Sequence, residues 1–184
     1  MSICRLGLWL ILAVLSGCGY RFANYDQSFA RTISVPYVEG DRDGAITAAL
    51  IRELCNSNAY QYVPSGGEFT LHVKIVDLRD ENIGFRYYRK QSGKLTNSVI
   101  PTETRLWVKT EVSVINNCNG EYALGPVLIE TNADFDHDYY LNLHGINIFS
   151  LGQLSDVDSA REAVWEPLNK LLSQKIVDYV SNSW

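Results

Sequence analysis

The sequence predicts an α+β fold: a two-layer sandwich with a four-stranded, mainly antiparallel sheet and two helices on one of its faces. Apolar residues alternate as in strands in four segments and recur at helical spacing in two others. These segments follow the order strand, helix, three strands, helix (β-α-β-β-β-α). A sheet with both helices packed on one face is compatible with this order. A chain of 184 residues can bury the core of one such domain.

The first strand and helix are predicted between residues 31 and 58. Residues 31–38 (RTISVPYV) place Ile33, Val35 and Tyr37 on one side, and Pro36 indicates an edge or an end of the strand. Asp43 is expected to cap the helix. Residues 56–58 would end the helix. Its apolar positions follow the spacing i, i+3, i+4, i+8: Ile46, Ala49, Leu50 and Leu54.

Three further strands are predicted between residues 69 and 133. Residues 69–78 (FTLHVKIVDL) alternate, and the alternation resumes in 83–90, within a loop expected over 82–103. Residues 104–115 form the clearest strand, with Leu106, Val108, Val112 and Val114 on one side. The turn NNCNG (116–120) joins it to a strand over 122–133, so a hairpin is predicted. Gly125-Pro126 predicts that this last strand lies at an edge of the sheet or contains a bulge.

The predicted final helix begins at Asp156. Pro167 should kink this helix or begin a second helical segment. Its apolar residues repeat at helical spacing: Ala160, Val164, Leu168, Leu171, Leu172, Ile176, Tyr179 and Val180.

The N-terminus has the order of a secretory signal. Arg5 precedes a run of nine apolar residues (6–14) and the small residues Ser16 and Gly17. This run is too short for a membrane-spanning helix, which needs about 20 apolar residues. Leu15-Ser16-Gly17-Cys18 resembles the lipobox of bacterial lipoproteins, which implies a signal peptide over 1–17, acyl chains on Cys18 and a lipid-anchored leader over 18–30. The folded domain would then occupy residues 31–184.

The composition limits the classes of partner. Without residues 1–17 the chain carries 15 basic and 21 acidic residues, and this net charge of −6 opposes general affinity for nucleic acid or an anionic membrane. We therefore expect no nucleic-acid partner. An oxidising compartment would permit Cys55 and Cys118 to pair, but their positions in a helix and a turn favour two free thiols.

The start of the mature chain carries a family resemblance. Cys18-Gly19-Tyr20-Arg21-Phe22, a first strand ending in SVPYVEGD and a helix reading ITAALIREL resemble the LPS-assembly lipoprotein family (LptE-like). The order of strands and helices agrees as well. The resemblance implies a non-enzymatic protein without a cofactor, anchored by acyl chains to the periplasmic side of the outer membrane. Such a protein plugs and helps assemble an LptD-type β-barrel and takes part in lipopolysaccharide transport. Gly19, where an aspartate often marks inner-membrane retention, agrees with the outer membrane.

Two polar clusters are candidate sites. The segment FRYYRK places cations among aromatic residues, and such cations can hold lipid A phosphates by charge-assisted hydrogen bonds, although a solvated strand end is the alternative. The candidate lipopolysaccharide-binding residues are Arg86, Arg89, Lys90, Lys94 and Arg105. In DFDHDYY, three aspartates could attract calcium, but same-face residues about 7 Å apart along a strand wrap one ion poorly. We therefore predict no metal site.

Catalytic patterns are lacking in the sequence. His72, His137 and His144 have no paired metal spacing, and no nucleophile elbow, P-loop or GxGxxG motif is present. Two functions stand as alternatives to the translocon plug. One is a structural or scaffolding outer-membrane lipoprotein that binds peptidoglycan or another envelope protein, and the other is a periplasmic hydrolase.

Overall fold

The computed structural model describes residues 31–89, 95–137 and 156–183, and it confirms the predicted α+β class. The elements in chain order are β1 (Thr32–Ser34), α1 (Ala45–Ser57), β2 (Gln61–Tyr62), β3 (Phe69–Arg89), β4 (Leu95–Asn116), β5 (Tyr122–Asp136) and α2 (Val157–Asn182). Neither helix in this described part has the length and apolar character required to cross a membrane. Cys18, the signal peptide and the leader lie outside the described residues.

The sheet has five strands in the order β2-β1-β3-β4-β5, one more than predicted. The extra strand is β2, which has only two residues and is therefore too short to show an alternation. β1 pairs in parallel with both β2 and β3, whereas β3, β4 and β5 form an antiparallel meander. The predicted mainly antiparallel sheet is thus confirmed, and β1 is an internal strand that ends at Ser34, before Pro36.

β3 and β4 form a hairpin much longer than predicted. The two strands pair from Phe69↔Asn116 to Arg89↔Leu95, so the prediction of a loop over 82–103 is wrong. The pairing of β5 with β4 covers positions 103–115 of β4 and stops there. Within the described residues, β3 and β4 therefore continue past the sheet as a two-stranded extension, here called the distal ribbon (85–89 and 95–101).

One face of the sheet forms the core with both helices. The buried side of β4 includes all four apolar residues predicted for it, and they pack with the apolar sides of α1 and α2. Ile33 and Val35 join this core. Tyr37 does not, because the strand has ended before it and its side chain is 58% exposed. We call this helix-covered side of the sheet the inner face.

The beginning of α1 depends on Asp41 more than on the predicted Asp43. One Asp41 carboxylate oxygen accepts hydrogen bonds from the Thr47 backbone N–H (2.9 Å) and hydroxyl (2.7 Å), and the other accepts from the Gly44 N–H (3.2 Å). Asp43 accepts only from the Ala45 N–H, at 3.0 Å. Gly44, in the left-handed conformation, is the N-cap, so the carboxylate of Asp41 reaches the first turn from outside the helix.

The final helix, α2, is capped as predicted. Asp156 is its N-cap, and the Asp156 side chain accepts a hydrogen bond from the Ser159 N–H at 2.7 Å. The helix continues through Pro167 to Asn182, so a second helical segment does not begin there. The predicted apolar stripe is buried or half-buried except at Leu171, which is exposed.

The predicted irregularity at Gly125-Pro126 is present on the edge strand β5. The pairing register of β5 with β4 shifts between Val112 and Val114, opposite these residues. Gly125 has φ +75°, and a Cβ added there would lie 2.5 Å from the Val112 carbonyl oxygen. Only glycine fits this conformation and this close approach of the two strands.

Gly125 and Gly120 together provide a test of this contact. Both have positive φ, but a Cβ on Gly120 would have no atom within 4 Å. Gly120→Ala should lower the free energy of unfolding by about 1 kcal/mol, the cost of the left-handed conformation alone. Gly125→Ala should lower it by about 3 kcal/mol or more, because β4 must also move. Equal losses in urea denaturation would contradict the close approach.

Candidate functional site

The side of β3, β4 and β5 opposite the helices carries a network of charged side chains around one tryptophan. Residues directly opposite each other on antiparallel strands project to the same side, which places Arg79, Trp107 and Asn132 together. The same side includes further charged positions on all three strands: Asp77, Glu81, Arg105, Lys109, Glu130 and Asp134. We call this surface the outer face.

Arg105 on β4 is held by Asp134 on β5. Nε and Nη2 of the guanidinium each donate to one carboxylate oxygen, both at 2.7 Å, in a bidentate arrangement. About a third of each side chain is exposed, 33% for Arg105 and 36% for Asp134. The hydrogen bonds from Arg105 lower the pKa of the Asp134 carboxyl group below its ordinary value.

Arg79 and Lys109 share the carboxylate of Glu130. Arg79 donates to Asp77 at 2.7 Å and to Glu130 at 2.8 Å, and the Lys109 ammonium lies 3.2 Å from the other oxygen of Glu130. The hydrogen bond from Lys109, followed by that from Arg79, lowers the pKa of Glu130. Hydrogen bonding to Asp77, then to Glu130, raises the pKa of Arg79.

Trp107 connects the two ion-pair groups. The carbon centre of the Arg79 guanidinium lies 5.1 Å from the centroid of the indole ring, and that of Arg105 lies 5.7 Å from it, so both cations contact its π-system. The Trp107 Nε1–H donates to Glu81 Oε2 at 2.9 Å, which satisfies the polar edge of the indole. The indole therefore holds both guanidinium groups on the outer face at once.

This arrangement limits what the outer face can do chemically. Arg79, Arg105 and Lys109 each contact a carboxylate, so binding a phosphate at any of them would first have to break an ion pair. These paired cations can instead lie against another polar surface without losing their partners. The three cations are therefore poorly available to an added anion.

The structure separates Arg105 from the other candidate lipopolysaccharide-binding residues. Arg86 lies exposed on the distal ribbon, opposite Ile100, whereas Arg105 is five positions further along β4 than Ile100, about 17 Å away. The backbone of Arg89 pairs with Leu95 near the end of the ribbon. Lys90 and Lys94 lie outside the described residues. The structure therefore does not bring the five candidate residues together.

The distal ribbon exposes an apolar strip on one side. Tyr87 pairs with Val99 and Phe85 with Pro101, so these four side chains share one face of the ribbon. Phe85 is 57% exposed, Tyr87 66% and Val99 51%. The aromatic residues of FRYYRK are evident in the sequence, but Val99 and Pro101 are not, because the register that brings them together follows from the length of the hairpin.

The aspartates of DFDHDYY do not form a metal site in the described part of the chain. Asp134 is paired with Arg105, and Asp138 lies outside the described residues. No group of three His, Cys, Asp or Glu side chains close enough to hold an ion occurs within 31–89, 95–137 and 156–183. Cys55 and Cys118 are exposed free thiols, as the sequence analysis favours.

His137 occupies a buried position at the end of β5. Its side chain is 3% exposed, and Nε2 lies 2.8 Å from the Thr104 hydroxyl oxygen. Since that hydroxyl donates to Asn82 Oδ1 at 2.9 Å, the hydrogen-bond pattern assigns the proton to His137 Nε2. The residue therefore links the end of β5 to interior positions of β3 and β4 at the base of the distal ribbon.

Solved structures with a similar fold include bacterial lipoproteins. Rare lipoprotein B from Shewanella oneidensis superposes with a TM-score of 0.50 at 15% identity, over 83% of this chain and 95% of that chain. A minor lipoprotein from Acinetobacter baumannii gives a TM-score of 0.49 at 9% identity, over 83% of this chain and 94% of that chain. No protein-family model and no curated protein matches the chain. At 15% identity, the Shewanella protein establishes a shared fold.

The ion pair of Asp134 predicts a dependence of stability on pH. Because Arg105 lowers the folded-state pKa of Asp134 below its ordinary value of 3.8, the pair stabilises the protein above about pH 4. This contribution disappears as the pH falls through the folded-state pKa. The free energy of unfolding of Asp134→Asn, measured by urea denaturation at a series of pH values, should therefore fall less steeply below pH 4 than that of the wild type.

Arg105→Gln provides the matched control for this experiment. It removes the cause of the lowered pKa and keeps the carboxyl group, so it should flatten the same part of the curve. The double variant should then behave like either single variant. A wild-type slope below pH 4 in either single variant would contradict the assignment.

Proposed function

We propose that this chain is an outer-membrane lipoprotein that plugs and helps assemble an LptD-type β-barrel and takes part in lipopolysaccharide transport to the cell surface. It acts without catalysis and without a cofactor. The lipobox and the residues after Cys18 support this role by resemblance. The fold shared with rare lipoprotein B is compatible with it.

The observation that carries the proposal is the outer face. A plug must bring a broad surface against the polar lumen of a barrel, where water is partly displaced. Charges taken into such a contact are costly unless each keeps a counter-ion. On the outer face, Arg79, Arg105 and Lys109 keep theirs within the domain, so these three cations can enter a lumen with their partners in place.

The distal ribbon supports the lipopolysaccharide part of the proposal. Arg86 and Arg89 lie on it, and the sequence between Glu81 and Glu103 contains four basic residues and no acidic one. Basic side chains form charge-assisted hydrogen bonds with phosphate groups such as those of lipid A. Arg105 has a different role in this proposal, because its guanidinium is bound by Asp134 on the outer face.

Co-purification should distinguish the plug from the scaffolding alternative. The tagged full chain should bring down a large β-barrel protein in a one-to-one complex. Asp134→Ala, which leaves Arg105 without its counter-ion, should reduce the recovered barrel at least about tenfold, because an unpaired charge would enter the contact. Glu162→Ala, exposed on α2 in the helix layer, should leave recovery unchanged. Recovery of the chain alone, or with peptidoglycan, would contradict the plug.

The anchor is tested by Cys18→Ala. This substitution removes the only side chain of the lipobox that can carry diacylglycerol, so lipid labelling and outer-membrane fractionation should be lost together. Metabolic labelling with a radioactive fatty acid and membrane fractionation measure the two. Normal outer-membrane fractionation of an unlabelled variant would contradict the lipid anchor.

Lipopolysaccharide contact is tested by charge reversal on the distal ribbon. Arg86→Glu with Arg89→Glu should weaken binding of lipopolysaccharide by about tenfold or more, because repulsion replaces attraction to phosphate. Arg42→Glu with Arg52→Glu makes the same change in net charge at exposed positions near and on α1, and it should leave binding unchanged. Equal binding by the two double variants in a pull-down with immobilised lipopolysaccharide would contradict a role for the ribbon.

A further inference from the structure

The side of β5 that faces away from β4 is an open edge of the sheet within the described residues. β5 is the last strand in the order β2-β1-β3-β4-β5, and β4 is its described neighbour. The register between the two strands is regular where residues 127–136 pair with 103–112. We call the outward side of this stretch the β5 edge. Backbone N–H and C=O groups along such an edge can pair with a strand of another chain.

Hydrogen bonds between β4 and β5 show which backbone groups point outward. The His137 N–H donates to the Thr102 carbonyl, and the Ile129 carbonyl accepts from the Thr110 hydroxyl, so the odd-numbered residues of β5 direct these groups toward β4. In an antiparallel pair, the backbone groups of successive residues point alternately toward and away from the neighbouring strand. The N–H and C=O groups of the even-numbered residues from 128 to 136 therefore point away from β4.

One outward carbonyl of the β5 edge is bonded by a side chain from the helix layer. Lys175 lies on α2, and its ammonium Nζ donates to the backbone carbonyl oxygen of Glu130 at 3.0 Å. The ammonium therefore occupies the position that an N–H of an added strand would need. Lysine side chains at sheet edges are one of the devices by which proteins prevent unwanted strand pairing, because the charge would have to leave water or move away.

Two neighbours of Lys175 show why this edge needs a guard. Before residue 127, Gly125-Pro126 interrupts the pairing with β4, and proline offers no N–H to an added strand, so the beginning of β5 is already protected. Leu171 lies one turn before Lys175 on the same side of α2 and is 43% exposed. A strand added to β5 would bring its inward side chains to this side of α2, where Leu171 offers an apolar contact.

A second copy of β5 has the pattern that this edge can accept. Two copies paired antiparallel about Asn132 would place residue 128 of each opposite residue 136 of the other, so all five outward-pointing positions would find a partner. Ile129 and Ala133 would continue the apolar inner face across the joint. Glu130 would lie opposite Asp134 on the outer face, but both carboxylates keep cations of their own chain. Such a contact is isologous and closes at two copies.

We propose that Lys175 keeps the β5 edge closed against a second copy of this chain, and that the chain forms an antiparallel β5–β5 dimer once this side chain is removed. Pairing of two edges requires that the bond from Lys175 to the Glu130 carbonyl break in both copies, so the guard acts twice in each dimer. It acts on the folded domain itself and requires neither the lipid anchor nor a barrel, so it can be tested without them.

Sedimentation velocity over a concentration series tests the guard in the chain from residue 18 onward, with Cys18→Ser to prevent lipidation. The core cluster lies wholly between Ile33 and Val180, so this chain retains its core. A reducing buffer excludes disulfides between the exposed free thiols. Lys175→Ala should lower the dissociation constant of a dimer at least about tenfold relative to the otherwise unmodified chain, because the Glu130 carbonyl of each copy becomes available for pairing.

Lys170→Ala is the matched control. It removes the same charge from another exposed position of α2, five residues away and therefore on a different side of the helix, so it should leave the dissociation constant unchanged. Equal self-association of the unmodified and Lys175→Ala chains would overturn the proposal. Assemblies larger than a dimer would overturn it as well, because the β5–β5 contact closes at two copies.

Two further substitutions locate the contact of the Lys175→Ala dimer. Asn132→Pro removes an outward N–H and leaves the bonds to β4 in place, so adding it should abolish the dimer with unchanged circular dichroism. Leu171→Ser changes an exposed side chain on the other layer, and adding it should weaken the dimer. A dimer that neither substitution weakens would form through another surface and would contradict the proposal.

Discussion

The antiparallel pairing of β3 with β4 is the constraint on which the rest of the structure depends. β4 is the central strand of the β3-β4-β5 meander, and alternate residues along it point to opposite sides of the sheet. Its apolar residues, such as Val108 and Val112, build the core under the helices, while Arg105, Trp107 and Lys109 organise the outer face. A shift of one residue in this register would exchange the two faces and destroy both.

The same pairing separates three surfaces with different chemistry. The helices cover the inner face, the outer face holds Arg79, Arg105 and Lys109 in ion pairs, and the distal ribbon lies beyond the residues of β4 that pair with β5. In the proposed function, the outer face contacts the wall of a barrel and the ribbon contacts lipopolysaccharide, so the two contacts do not compete for one surface.

The elements that could be predicted from the sequence are those with one buried and one exposed side. β4 and α2 were predictable because one side of each is buried in the core, and the Asp156 cap was predictable because its carboxylate acts on its own helix. β2 and the outer part of β3 were missed. β2 is too short for an alternation, and the outer part of β3, where the ribbon lies beyond the core, is stabilised by backbone pairing rather than by burial on one side.

The candidate site was less predictable than the fold, because its contacts join residues far apart in sequence. Arg105 was selected for its positive charge, but its partner Asp134 is 29 positions away and becomes a neighbour only through the β4–β5 register. Trp107 gave no sequence signal, since its role depends on Arg79 from another strand. The cluster around Arg86 could be recognised from the sequence, because a local group of cations and aromatic residues needs no register, but its place on a long hairpin could not.

The central claim is that the outer face contacts a barrel, and site-specific photo-crosslinking in cells tests it most directly. A photoreactive amino acid at Asn132, which lies beside Trp107 on the outer face, should crosslink to a large β-barrel protein of the outer membrane. The same amino acid at Glu162, exposed on the helix layer, serves as the comparison. The account predicts a barrel adduct from position 132 and a much weaker one from position 162. An adduct from 162 alone, or none from 132 in cells where the chain is membrane-bound, would contradict it.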